Sequence, residues 1–293
     1  MEGEAKAPLD RWADWLLRGR QRGLSEAQAK RLASSLHRLR NRTMRDARIR
    51  AGQRVLDVGA GTGLLTLEAL RRVGSEGLVL ALDISHDALR ECQHQSRAEQ
   101  PAGFVHTVRG DAICLPVAGG AFDAVLARSV LIYVADKAGA IRELYRVLRP
   151  GGRAAIFEPI NQVADFTRRS QILDISSIQP AHDEIRAYIR GRSDHNDTML
   201  GFDERDLVQW FVDAGFIEVE LFYRHSYSRR PRRLGEITNS IRQRPNPSML
   251  SYEEGARAVR GDAADEHLRR YVKLLRDQPS LTASAGAFVT ARR

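Results

Sequence analysis

Between residues 53 and 158 short apolar runs alternate with stretches in which apolar side chains recur every three or four positions. The runs at 54–58, 78–83, 103–109, 121–127 and 153–157 read as strands, and those at about 63–73, 85–97 and 136–148 as amphipathic helices. Arg149-Pro150-Gly151-Gly152 reads as a turn before the fifth strand. Unbroken apolar strands separated by such helices predict an α/β fold, a parallel sheet covered on both faces. Ligands of such sheets sit at the C-terminal strand ends, where the winding reverses.

On either side the pattern changes. Trp12, Trp15, Leu16 and Leu17 form a small helical stripe, which core packing would explain equally well. Ser25-Glu26-Ala27-Gln28 is a capping box. The helix it opens carries Ala29, Leu32, Ala33, Leu36, Leu39, Met44, Ala47 and Ile49 at helical spacing, and both N-terminal helices are expected beside the first strand, closing part of the cofactor site. After residue 158 come a helical insertion with Phe166, Ile172, Leu173, Ile175 and Ile178, a capped helix from Gly201 to Phe216 and a strand at 217–223. A second insertion contains a basic turn, Arg229-Arg230-Pro231-Arg232-Arg233, and two further helices, and a last strand covers 285–290. The resulting units are 1–50, 51–158, 159–200, 201–223, 224–279 and 280–293.

The central chemistry lies in Val55-Leu56-Asp57-Val58-Gly59-Ala60-Gly61-Thr62-Gly63. A strand, a glycine turn and a helix start form half of a nucleotide-binding unit, because glycine admits positive φ and a helix start leaves amides free. Asp83 ends the second strand, 20 residues after Gly63, where a ribose-binding acid should fall. Leu64 occupies the position a nicotinamide-binding loop needs small, which argues against NAD.

This stretch resembles motif I of the class I S-adenosylmethionine (SAM)-dependent methyltransferases. The resemblance extends over 53–158 through Gly110-Asp111-Ala112 with Leu115-Pro116, Phe122-Asp123-Ala124-Val125, and Leu144-Tyr145-Arg146-Val147-Leu148-Arg149-Pro150-Gly151-Gly152. It implies a seven-stranded, doubly wound, mostly parallel sheet (the Rossmann-like methyltransferase fold) with N-terminal helices and helical cap insertions. The last strand would be antiparallel beside the fifth. It also implies that Asp57 and the Gly59, Gly61, Gly63 loop hold the amino-acid end of SAM. Asp83, with its neighbour Ile84, would hold the ribose, Asp111 the adenine amine, and Ala112 the ring. Arg128 and Ser129 would border the methionine part and the methyl channel. Asp111 could also simply cap its turn, and Arg128 could be an ion-pair partner.

Composition narrows the rest. The 293 residues are 43% hydrophobic, without a run long enough to span a bilayer. The charged N-terminus lacks the apolar core of a secretion signal, and two cysteines make a disulfide framework unexpected; both point to the cytoplasm. The net charge is +9, and residues 11–50 alone hold twelve basic and three acidic side chains. A basic arm suits nucleic acid or an anionic substrate, but a solvated helix face is the plainer account.

Methyl transfer needs proximity, orientation and a dry site more than any one residue type. Glu158, ending the fifth strand, is the leading substrate-facing carboxylate and candidate base. Tyr133 is a candidate contact to substrate or sulfonium. His182, His195 and His225 are possible bases, although each could be a packing or surface residue. No metal-ligand spacing is present. An Asn-Pro-Pro-Tyr-type tetrapeptide, used by amine-directed nucleic-acid methyltransferases, is replaced by Arg128-Ser129-Val130-Leu131. The expected function is transfer of methyl to an O, N or C atom of a small-molecule or peptide substrate, in specialised metabolism, by a monomer or homodimer without membrane attachment. An RNA or protein methyltransferase using the arginine-rich helices, and a non-catalytic SAM-binding protein, are the alternatives.

Overall fold

A computed structural model describes residues 8–99, 105–163, 174–192, 196–230, 232–278 and 280–293. A short helix, α1 (Arg11–Asp14), runs into a π-helical turn over Trp15–Gly19. Helix α2 (Glu26–Ala47) starts at the Ser25/Gln28 capping box and stops where Arg48 turns left-handed, at φ 51°. Strand and helix then alternate through β1 (Arg54–Val58), α3 (Thr66–Val73), β2 (Leu78–Asp83), α4 (His86–Glu99), β3 (Val105–Arg109), β4 (Phe122–Arg128), α5 (Lys137–Val147) and β5 (Leu148–Pro159). Helices α6 (Gln179–Gly191), α7 (Asn196–Leu200) and α8 (Glu204–Asp213) lead to β6 (Ile217–Arg230). Helices α9 (Leu234–Arg242), α10 (Tyr252–Arg260) and α11 (Ala264–Asp277) lead to β7 (Ser280–Arg292).

The seven strands stand in the order β3-β2-β1-β4-β5-β7-β6. The first five are parallel, and β7 runs antiparallel between β5 and β6. The chain winds outward from β1 through β2 and β3, then crosses back to β4. This reversal opens a crevice above the β1–β4 pair. Alternate residues of each strand feed opposite faces. Leu56, Val125 and Ile156 pack with Ile141 and Leu144 of α5 and Leu207 and Phe211 of α8. Val55, Ala124 and Ala155 pack with Met44 of α2 and Ala69 and Leu70 of α3. A separate small core, Ile185, Ile189, Ile241, Tyr252, Ala256 and Leu268, joins α6, α9, α10 and α11 into a cap.

The fold departs from the sequence reading at four places. Helix α3 begins at Thr66 rather than about 63, because 60–63 are spent on the turn. There Ala60 N–H donates to the Leu82 carbonyl, and Gly63 N–H to that of Ala60, both at 3.0 Å. Residues 149–152 form a bulge inside β5, not a turn before it. The pairing jumps from Phe122↔Leu148 to Ala124↔Arg153, with Gly151 at φ 78°. Strand β6 continues past 223, paired with β7 as far as Arg230↔Ser280, so Arg229 and Arg230 belong to a strand. Helix α2 lies mainly across β5 and β4, with Met44 also in the core that holds Val55 of β1. Phe166, Ile172, Leu173 and His195 lie outside the described residues.

Phe211 is fully buried and packs on Phe216 with ring centroids 4.8 Å apart. Phe211→Ala should therefore cost about 3–5 kcal/mol, read as a lower urea midpoint at unchanged slope.

Candidate active site

A cleft of about 1380 Å³ lies over the C-terminal ends of β1, β2 and β4. Its floor is the glycine loop, with Gly59, Gly61 and Gly63 at φ 65°, 53° and 97°. A side chain at Gly59 would collide with Val130, and a Cβ at Gly63 would lie 2.8 Å from Cys92 Sγ, so the loop keeps its backbone bare towards the cleft. Asp57 is buried at the end of β1 and accepts the Thr66 hydroxyl at 2.6 Å. Burial pushes its carboxyl up to about 7, against the pull of that hydrogen bond and of Arg128. Asp83 accepts from Gly61 N–H at 2.8 Å through one oxygen and from Ser85 N–H at 2.9 Å through the other. Burial raises it, and these amides oppose the rise. Each oxygen keeps a further lone pair. Ile84 and Ile113, each 46% exposed, flank the same end of the cleft, with Ala112 buried between them in sequence. Asp111 accepts from Ile113 N–H at 3.2 Å.

The other half is built at the tip of β4. Arg128 is followed by Ser129 at φ 56°, a conformation held by its N–H donating to the Phe157 carbonyl at 2.8 Å. The next three amides find one partner. Glu158 takes Val130 N–H (2.8 Å) and Leu131 N–H (3.1 Å) on Oε1, and Ile132 N–H (3.2 Å) on Oε2. This caps the 3-10 turn Leu131–Tyr133 and presents Tyr133, which meets the Trp12 ring edge-on at 4.9 Å.

Trp12 belongs to a strap, residues 10–24, that roofs the cleft. Asp10 fixes one end: its carboxylate accepts from the Trp12 and Ala13 amides, both at 3.0 Å, and from the Ser85 hydroxyl at 2.7 Å. The other end is held to the cap. Trp15 Nε1–H donates to the Arg244 carbonyl at 3.2 Å, and Gln243 Nε2–H to the Arg20 carbonyl at 2.6 Å. Leu32, Leu36 and Leu39 of α2, Met199 of α7 and Pro245 complete the walls.

A family described as a methyltransferase domain matches residues 56–156. Residues 56–156 are thus similar to a methyltransferase domain. The chain is 38% identical over 143 residues to the ubiquinone/menaquinone biosynthesis C-methyltransferase UbiE of Idiomarina loihiensis, covering 46% of this chain and 57% of that one. It is 37% identical over 142 residues to UbiE of Vibrio vulnificus, covering 46% and 55%. The chain thus spans just over half the length of these curated relatives. In shape it is similar to the YcgJ protein of Bacillus subtilis, with a TM-score of 0.55 over 88% of this chain and 98% of that one; at 15% identity the likeness concerns the fold.

Around the methyltransferase domain's cleft the fold gathers Asp57, Gly59, Gly61, Gly63, Asp83, Ile84, Asp111, Ala112, Arg128, Ser129 and Tyr133. Three of the candidate bases are elsewhere. Glu158 is 0% exposed and turned towards the three amides, which have no strand to bond; it is a capping group, not a substrate-facing base. His182 sits in the cap, with Nδ1 2.8 Å from the Tyr252 hydroxyl, itself 2.8 Å from His267 Nε2. Burial pushes His182 down to about 4, which keeps it neutral, and it does not reach the cleft. His225 packs between Tyr223 and Tyr227 on β6, also away from it. Sequence reasoning missed Arg20 and Ile113 as lining residues and read Trp12, Trp15 and Leu16 as a stripe that core packing would explain equally well; all five line the cleft. The available signal was a pair of tryptophans three residues apart in a short, highly charged segment.

Two outcomes are expected. Glu158→Gln puts an amide NH2 against a backbone N–H and should cost about 1–3 kcal/mol of stability. Burial pushes Glu158 up to about 7, so between roughly pH 4.5 and 7 the native chain holds a proton the unfolded chain has lost. Wild-type stability should then fall as pH rises through that window, and the Gln variant should lack that part of the slope; urea midpoints across the window check both. Asp10→Ala removes the strap's cap and its tie to Ser85. Trypsin should cut after Arg18, Arg20 or Arg22 about tenfold faster or more, from a loss of about 1–2 kcal/mol, while the global unfolding midpoint moves little.

Proposed function

We propose that the protein transfers a methyl group from SAM to a nucleophilic atom of a small molecule held between the strap and the cap. The observation that carries this reading is one cleft with two differently built halves: a bare glycine loop between acidic strand tips, and a roofed chamber beside it. The residues fit the donor. Asp83 has lone pairs free for ribose hydroxyls. Ile84 and Ile113 leave apolar surface that a flat ring would cover. The volume exceeds the roughly 300–1,000 Å³ of an ordinary small-molecule site, in keeping with room for two ligands.

Bound SAM would supply a methyl carbon on a sulfonium, whose C–S electron pair would stay on sulfur as the acceptor's electron pair bonds to that carbon, leaving S-adenosylhomocysteine. The chain's residues hold and orient. Ser129 and the capped turn after it fix where the acceptor can lie, and the strap keeps water out. Burial pushes the Tyr133 phenol up to about 12, so it stays protonated and serves as a hydrogen-bond donor rather than a base. The quinone acceptor in the names of the relatives does not transfer with the match. The family match, 56–156, holds the glycine loop, the acidic strand tips and the turn that carries Tyr133, while the strap, α2 and the cap, which would also touch the acceptor, lie outside it. Enclosure by these parts favours a small molecule over RNA or protein.

Calorimetry with S-adenosylhomocysteine tests the reading: one site per chain is expected, and no binding would overturn it. Asp83→Asn should weaken that site by about tenfold to a hundredfold, the worth of a charge-assisted hydrogen bond, ~1.5–3 kcal/mol.

A further inference from the structure

The acceptor half of the cleft contains two cations: Arg128, which the resemblance places beside the methionine part and the methyl channel, and Arg20 of the strap, which the methyl-transfer reading leaves without a task. Arg128 reaches it from the tip of β4, and its guanidinium makes one hydrogen bond among the described residues, from Nη1 to Ser129 Oγ at 3.3 Å. Arg20 reaches it from the strap, with Cζ 5.9 Å from the Trp15 ring centroid. Neither guanidinium has a carboxylate within ion-pair distance, 4.0 Å, among the described residues. The nearest acids are already engaged, Asp57 by Thr66 and Glu158 by three amides. Burial, with the like charge of Arg20 beside it, pulls Arg128 down to about 10. Tyr133 lies close enough to feel both cations. Two unpaired guanidiniums facing one half-dry chamber are costly unless an anion joins them.

We propose that the methyl acceptor is an oxyanion, a small carboxylate or phosphate ester, gripped between Arg20 and Arg128 with the Tyr133 hydroxyl as a third donor. This rests on the methyltransferase reading and names the acceptor's class. Guanidinium forks match carboxylate and phosphate oxygens two at a time. The anion would also offset the positive sulfonium beside it, so donor and acceptor would favour each other's binding. Because Arg20 rides on the strap, the acceptor's charge would help hold the roof shut.

The test uses the full chain saturated with S-adenosylhomocysteine and titrated by calorimetry with matched probes: benzoate against benzamide, and phenyl phosphate against phenol. At least one anion should bind about tenfold or more tightly than its neutral partner, and the pair that responds tells carboxylate from phosphate. Arg20→Met and Arg128→Met should each abolish the preference, and Arg20→Met should leave S-adenosylhomocysteine affinity within about twofold. SAM should gain on S-adenosylhomocysteine in both variants, since a like charge has gone. Equal binding of charged and neutral probes overturns the proposal, as does a preference that survives both substitutions. A fall in S-adenosylhomocysteine affinity in Arg20→Met with 5′-methylthioadenosine affinity kept also overturns it, because Arg20 would then hold the donor's own carboxylate. The wild-type comparison needs no variant, so a misfolded variant does not spoil the test. If S-adenosylhomocysteine itself fails to bind, the methyltransferase reading falls first and the proposal with it.

Discussion

Backbone amides at the C-terminal edge of the sheet must find partners where the strands have ended, and carboxylates supply them. Asp83 takes the amides of Gly61 and Ser85. Glu158 takes those of Val130, Leu131 and Ile132. Glu143 takes Leu115, and Asp10 takes Trp12 and Ala13. Each of these hydrogen bonds has a charged or partly charged acceptor and so outweighs a neutral one. The glycine loop, the turn that carries Tyr133 and the loop after Asp111 are therefore each tied to an acid on a neighbouring element, and so is the strap, whose Asp10 N–H donates to Asp87. The cleft keeps its shape because its loops are fastened from behind.

This use of acids as fasteners shapes the electrostatics. On the donor side Asp83 serves twice, as a tie for Gly61 and as an acceptor with lone pairs to spare. On the acceptor side Glu158 is wholly consumed, which leaves Arg128 and Arg20 uncompensated. Burial holds Asp57 and Glu158 near neutrality in pH, so neither is a reliable counter-charge to the arginines. The cleft thus passes from acidic to basic across a short distance, and in a low-dielectric setting that gradient is stronger than the same charges would make in water. A cationic donor and an anionic acceptor would each find the half that suits it.

Much of the donor half was legible in the sequence because it depends on local features. A glycine turn after a strand, an acid at a strand tip and an acid followed by a small residue each announce themselves within a few positions, and the fold puts Asp57, Asp83 and Asp111 on one cleft. The acceptor half was not legible. Glu158 ends a strand just as Asp83 does, and only the path of residues 129–132 decides that it turns away from the cleft. His182 looked like a possible base because a histidine in a polar stretch gives no sign of its neighbours; Tyr252, 70 positions later, absorbs it. The long reach of β6 was hidden because its exposed arginines lack the apolar alternation of a half-buried strand. What holds them in place is pairing with β7, contributed from the far end of the chain.

The strap explains why the parts outside the methyltransferase domain belong to its chemistry. It is too short to fold alone: α1 has four residues, and the π-helical turn five. Its conformation is imposed by what it bridges, the corner after β2 through Asp10 and the loop after α9 through Trp15 and Gln243. Leu16 then rests where a Cβ on Gly61 would come within 3.3 Å, so the roof leans directly on the bare loop. A ligand lying over that loop would press on Leu16, which belongs to the same segment as Trp12, packed on Tyr133, and Arg20. Occupation of one half of the cleft would therefore be felt in the other through a single piece of chain.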